Sequence, residues 1–100
     1  MPITVQIESE RGDREGEPWY HAESTGILVG DHLATCCLRF IDPYGNTVFN
    51  QSQLPVLIDE LRTLRGELRD ATQVAVLDDL SEFLGRALGH VHTYVRFIGD

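Results

Sequence analysis

Ile3, Val5 and Ile7 alternate with Thr4, Gln6 and Glu8. This period-two pattern of β-branched and polar residues predicts a half-buried strand. From Ser9 to Glu17 the chain turns polar, with Gly12 and Gly16 set among Glu10, Asp13, Glu15 and Glu17 before Pro18, which predicts a mobile loop. Ile27-Leu28-Val29, bracketed by Gly26 and Gly30, reads as a short strand. Over Ala34–Ile41 the alternation returns, with Ala34, Cys36, Leu38 and Phe40 on one face and Thr35, Cys37, Arg39 and Ile41 on the other. Asp42-Pro43-Tyr44-Gly45 follows. Asp suits the first turn position, Pro presets φ at the second, and Gly supplies a positive φ. Thr47-Val48-Phe49 then reads as the returning strand of a hairpin.

Helical spacing takes over beyond this point. Asn50 and Gln53 have the spacing of a capping box, Pro55 falls in the first turn, and a helix is predicted to begin between Gln51 and Gln53. Its apolar stripe is Leu54, Leu57, Ile58, Leu61, Leu64 and Leu68, with Gly66 near its end. Asp70 and Gln73 suggest a second N-cap. Val74, Leu77, Leu80, Leu84, Ala87, Leu88 and Val91 form the next stripe, ended by Gly89. A strand at Gln73–Leu77 followed by a shorter helix competes, but the length of the periodic run favours one helix. His92–Ile98 alternates again and predicts a last strand. Two amphipathic helices need a sheet face to cover. The expectation is therefore an α+β fold, a two-layer sandwich in which a small, mostly antiparallel sheet is covered by two helices, as a single domain over residues 1–100.

Composition narrows the function classes. The chain carries a net charge of −8, and its eight basic residues are all Arg, scattered along the sequence. Binding phosphate needs a clustered positive field, so no nucleic-acid partner is expected. Arg62, Arg65 and Arg69 share a helix face but lie among acidic residues, which reads as a solvated surface. No apolar run approaches a membrane span, and Met1-Pro2-Ile3-Thr4-Val5 lacks the basic and apolar regions of a signal peptide, so a cytoplasmic address is expected. Cys36 and Cys37 are adjacent, a poor geometry for a bridge, and are expected to be reduced packing residues.

Few motifs carry chemistry. His90-x-His92 is a weak metal candidate, because it supplies two ligands with only His21, His32, Asp42 and Asp100 available as a third. No metal and no cofactor is therefore assigned. The serines lack an elbow motif, no glycine-rich phosphate loop occurs, and adjacent carboxylates such as Asp59-Glu60 and Asp78-Asp79 diverge around a helix. Trp19 is expected to be buried. Tyr44 is left over, because turn geometry does not require an aromatic residue there, and loop aromatics often anchor protein contacts.

The run from Leu38 to Asn50, with Asp42-Pro43-Tyr44-Gly45-Asn46-Thr47-Val48-Phe49-Asn50 at its heart, resembles a segment found in short uncharacterised bacterial proteins. The ending His92-Thr93-Tyr94-Val95-Arg96-Phe97-Ile98-Gly99-Asp100 is similar to theirs as well. The resemblance implies a bacterial, cytoplasmic setting, carries over no catalytic residues, and singles out Asp42, Tyr44, Asn50 and His92 as candidate binding positions. The expectation is a non-enzymatic protein-binding module of immunity or adaptor type, steered to a basic partner by its acidity. The alternatives are a small metal-dependent or acid–base enzyme using His92 with Asp42 or Asp100, and a homodimer formed through an exposed sheet edge.

Overall fold

The alternating segments at the two ends of the chain pair with each other. The computed structural model describes residues 2–30 and 35–99. In it, β1 (Thr4–Ser9) and β4 (Thr93–Ile98) run antiparallel in continuous register from Thr4↔Ile98 to Ser9↔Thr93. β2 (Trp19–Tyr20) flanks β1, and β3 (Asn46–Phe49) flanks β4, giving a four-stranded antiparallel sheet of order β2-β1-β4-β3. Three helices lie between the strands in sequence: α1 (Ser24–Leu28), α2 (Leu54–Glu67) and α3 (Ala71–Gly85). The fold is α+β, as its hydrophobic pattern predicts. No helix among the described residues is long and apolar enough to cross a membrane.

Register decides what is buried. Ile3, Val5 and Ile7 share a sheet face with Val95, Phe97, Phe49 and Trp19, and this face meets Leu54, Leu57, Ile58 and Leu61 of α2 and Val76, Leu77, Leu80, Phe83 and Leu84 of α3. The Phe49 and Phe97 rings pack edge to face with centroids 5.5 Å apart. Trp19 is 6% exposed, and its indole N–H donates to Asp79 Oδ2 at 2.9 Å, tying the edge strand to α3. The Arg65 guanidinium grips Asp78 through Nε and Nη2 at 2.6 and 3.2 Å and links the two long helices. Arg62 pairs with Asp59. Two of the three arginines on that helix face thus have carboxylate partners.

The predicted caps form. Asn50 N–H donates to Gln53 Oε1 at 2.9 Å while Gln53 N–H donates to Asn50 Oδ1 at 3.0 Å, a reciprocal capping box ahead of α2. Asp70 Oδ1 accepts from the N–H groups of Thr72 and Gln73 at the start of α3. The loop after β1 folds back on the strand through backbone hydrogen bonds. Ser9 N–H donates to Asp13 O, Glu15 N–H donates to Ile7 O, and the backbones of Glu8 and Arg14 pair antiparallel as a single β-bridge.

Three expectations are corrected. Ile27 and Leu28 belong to helix α1 rather than to a strand, because Ser24, Ile27 and Leu28 are buried together at helical spacing. The Ser24 hydroxyl accepts from Ile3 N–H and donates to Ile3 O, fixing that turn against the start of β1. The hairpin is replaced. Ala34 lies outside the described residues, residues 35–41 form no strand, and Leu38–Phe40 is a 3₁₀ turn. The burial of Cys37, Leu38 and Ile41 follows a helical turn rather than alternation, and β3 takes the longer β4 as its partner. The Glu60 carboxylate holds the turn by accepting from the N–H groups of Cys36, Cys37 and Leu38 at 2.5, 3.0 and 3.0 Å. At Asp42–Gly45 the turn itself is present, with Tyr44 N–H donating to Asp42 Oδ1 at 2.8 Å. Gly45 has no positive φ. A Cβ there would lie 2.8 Å from Asp42 Oδ2, so a larger residue would require the Asp42 carboxylate to shift. Finally, α3 stops at Gly85, and Val91, counted in its stripe, is 76% exposed.

The sheet face turned away from the helices holds a buried carboxylate. Glu8 is 4% exposed. Its Oε2 accepts from Arg96 Nε at 2.8 Å and also from Gln6 Nε2. Burial pushes its pKa up, but the hydrogen bonds from Arg96 and Gln6 and the arginine charge outweigh that and leave it below the usual glutamate value.

Two outcomes follow. Glu60→Ala leaves three backbone donors without their acceptor and is expected to lower unfolding stability by about 2–3 kcal/mol, measured by urea denaturation. Because the Glu8 pKa is depressed by folding, its contribution is complete above the unfolded-state value and is lost as pH falls through the folded-state value. Glu8→Gln should therefore be less stable than wild type at neutral pH and lose less stability on acidification to about pH 3.

Candidate functional site

His92 enters β4 with φ +62°, alone among the described non-glycine residues in having positive φ. A residue with a Cβ is held there at a cost of about 1–2 kcal/mol, so its surroundings must fix it. Gln51 does much of this. Its Nε2 donates to Ala87 O at 2.7 Å and to Thr93 O at 3.1 Å, and its Oε1 accepts from Gly89 N–H at 3.0 Å. One side chain ahead of α2 thus fastens the whole turn between α3 and β4. Gly89, with φ +79°, lets the chain reverse there.

Several concavities open around this turn. One, of about 430 Å³, is lined by Asn50, Gln51, Ser52, Gly89, Val91, His92, Thr93 and Tyr94. A second, of about 440 Å³, shares Val91, His92 and Thr93 and is closed by Ser9, Glu10, Arg11, Asp13 and Glu15 from the loop after β1. Exposed Val91 belongs to both walls. His92 Nδ1 lies 3.0 Å from Glu10 Oε2, joining that loop to the turn. Both side chains are largely solvated, so the pair is worth about 0–1 kcal/mol and acts mainly to set position. A smaller cleft of about 230 Å³ lies between β1 and the end of α3 and is lined by Ile7, Glu15, Gly16, Glu17, Phe83, Arg86, His90 and Thr93.

The candidate residues divide into two groups. Asn50 and His92 share the 430 Å³ concavity. Asp42 and Tyr44 lie at the other end of β4, where Gly99 N–H donates to Gly45 O at 2.7 Å. The six residues of β4 separate the two ends by about 20 Å. His92 therefore faces Glu10 rather than Asp42, and the acid–base pairing of His92 with Asp42 is not assembled. Asp100 lies outside the described residues, as does His32. Tyr44 is 83% exposed at its turn. His90 lines the 230 Å³ cleft rather than either concavity lined by His92. Among the described residues, no group of three or more His, Cys, Asp or Glu side chains could hold a metal ion. Cys36 is exposed and Cys37 buried, both as free thiols. Burial pushes the Cys37 thiol up, the Glu60 charge and Cys36 add to that, and its side chain packs in the hydrophobic core.

Sequence reasoning passed over Glu10, Gln51, Val91 and Thr93. Only Val91 carried a signal, as the last apolar position of a helical stripe after the glycine that ends it. The others are brought in by pairing at long sequence separation. Compared with protein-family models, curated proteins and solved structures, the chain gives no match.

The strain at His92 sets a test. His92→Gly relieves the backbone and removes only an exposed ion pair, so it should unfold at equal or higher urea concentration than wild type. His92→Val, β-branched in a left-handed conformation, should unfold at a lower one.

Proposed function

We propose that this chain is a non-enzymatic protein-binding module, of immunity or adaptor type, that docks on a basic partner in the bacterial cytoplasm. The docking surface in this reading is the end of the sheet where the loop after β1 meets the turn before β4. The observation that carries it is Val91, an aliphatic side chain 76% exposed on the ridge between two concavities, with Glu10, Asp13 and Glu15 beside it. An apolar centre inside a charged rim is the usual anatomy of a protein interface. The net charge of −8 supplies long-range attraction for a basic surface. Two free thiols agree with a reducing compartment.

Association steered in this way depends on ionic strength. The immobilised chain is expected to retain a basic protein from a lysate of its source at about 50 mM salt and to release most of it at about 300 mM. Val91→Asp, and separately Glu10→Gln combined with Asp13→Asn, should each abolish retention while leaving the unfolding midpoint close to that of wild type. Retention indifferent to salt and to Val91→Asp would overturn the reading, as would the absence of any retained protein.

A further inference from the structure

The smaller cleft between β1 and the end of α3 has a different make-up from its neighbours. Its floor is apolar, formed by Ile7 and Phe83, both in the hydrophobic core. Thr93 is 5% exposed and lines the same cleft, and its register puts its side chain on the same sheet face as Ile7. The Thr93 hydroxyl forms no hydrogen bond with any described residue, although a buried hydroxyl ordinarily has a partner. At the mouth stand Glu15 and Glu17, and neither carboxylate forms an ion pair among the described residues. At about 230 Å³ the cleft is smaller than the ~300 Å³ at which pockets for drug-sized ligands begin.

We propose that this cleft receives a single long basic side chain, lysine or arginine, from the protein partner. This rests on the protein-binding reading above and names its anchor. The methylene stem lies on Ile7 and Phe83, as basic side chains commonly bury their stems while keeping the charge outside. Its terminal N–H groups reach the unfilled Thr93 hydroxyl and the Glu15 and Glu17 carboxylates at the mouth. Arg86 bears on the same site. Its guanidinium carbon lies 6.0 Å from the centroid of the Phe83 ring, so the chain's own cation already occupies the edge of the cleft and competes with an incoming one.

The test is a heteronuclear NMR titration of the intact chain with Nα-acetyl-lysine amide, Nα-acetyl-arginine amide and, as the uncharged control, Nα-acetyl-norleucine amide. Both basic amides should shift the Ile7, Phe83 and Thr93 resonances saturably, and the norleucine amide should not. Glu15→Gln with Glu17→Gln should weaken binding by about tenfold, Thr93→Val should weaken it less, and Arg86→Ala should strengthen it. Dispersed spectra of each variant report that it is folded. Equal shifts with norleucine amide, shifts mapping elsewhere, or no shifts up to about 0.1 M ligand would overturn the proposal. A partner captured in a salt-sensitive way by both wild type and the Glu15→Gln/Glu17→Gln variant would discard this anchor but leave the protein-binding reading standing. Basic amides filling the cleft when no partner is captured would do the reverse.

Discussion

Everything in this fold hangs on β4 being paired on both of its edges. β1 takes one edge over six residue pairs and β3 takes the other over four. Once that register is set, alternation sends Val95 and Phe97 toward α2 and α3 and sends Arg96 to the opposite face. On that opposite face Glu8 is buried and gathers hydrogen bonds from Gln6 and Arg96. A slip of one residue would exchange these roles, placing a guanidinium in the core and Phe97 in water. The same strand sets the two ends of the molecule where the candidate residues lie, because its first residue adjoins the Gln51-fastened turn and its last adjoins the Asp42–Gly45 turn.

Elements whose stabilising contacts are local were legible in the sequence. The Asn50–Gln53 capping box, the Asp70 N-cap, the two long helices and the terminal strands depend on residues a few positions apart, where spacing carries the information. The segments misjudged were those decided at a distance. Thr35–Ile41 alternates convincingly, yet the Glu60 carboxylate, more than twenty residues later, collects its backbone donors into a tight turn. Ile27–Val29 reads as a strand between Gly26 and Gly30, yet Ile27 and Leu28 lie in the helical turn that Ser24 fastens to the backbone of Ile3. β propensity yields readily to such tertiary contacts.

The candidate site was legible only in part, for the same reason. His92 and Asn50 come together because Gln51 spans from the start of α2 to the end of α3, and no periodicity announces that. Glu10 reaches His92 because β1 and β4 pair. Thr93 looks from the sequence like any residue beginning a strand, and only burial without a partner for its hydroxyl among the described residues distinguishes it. Asp42, prominent in the sequence, is explained by a turn that braces the far end of β4, and the Tyr44 ring stands exposed on that turn. Gly99 is part of that brace, since a Cβ there would meet Asp42 O and, at 2.5 Å, the Pro43 carbonyl carbon.

Trp19 gives the molecule an optical property of its own. It is the sole tryptophan of the chain, and its indole is shielded from water with its N–H held by a carboxylate on α3. It also helps line a concavity with Glu17, Phe83 and Arg86, the side chains that flank the small cleft. Its emission therefore reports two events from one place: the detachment of β2 from α3, and any rearrangement of charge where a partner would insert. The fold carries an intrinsic fluorophore beside the proposed docking surface, with no other indole to obscure the signal.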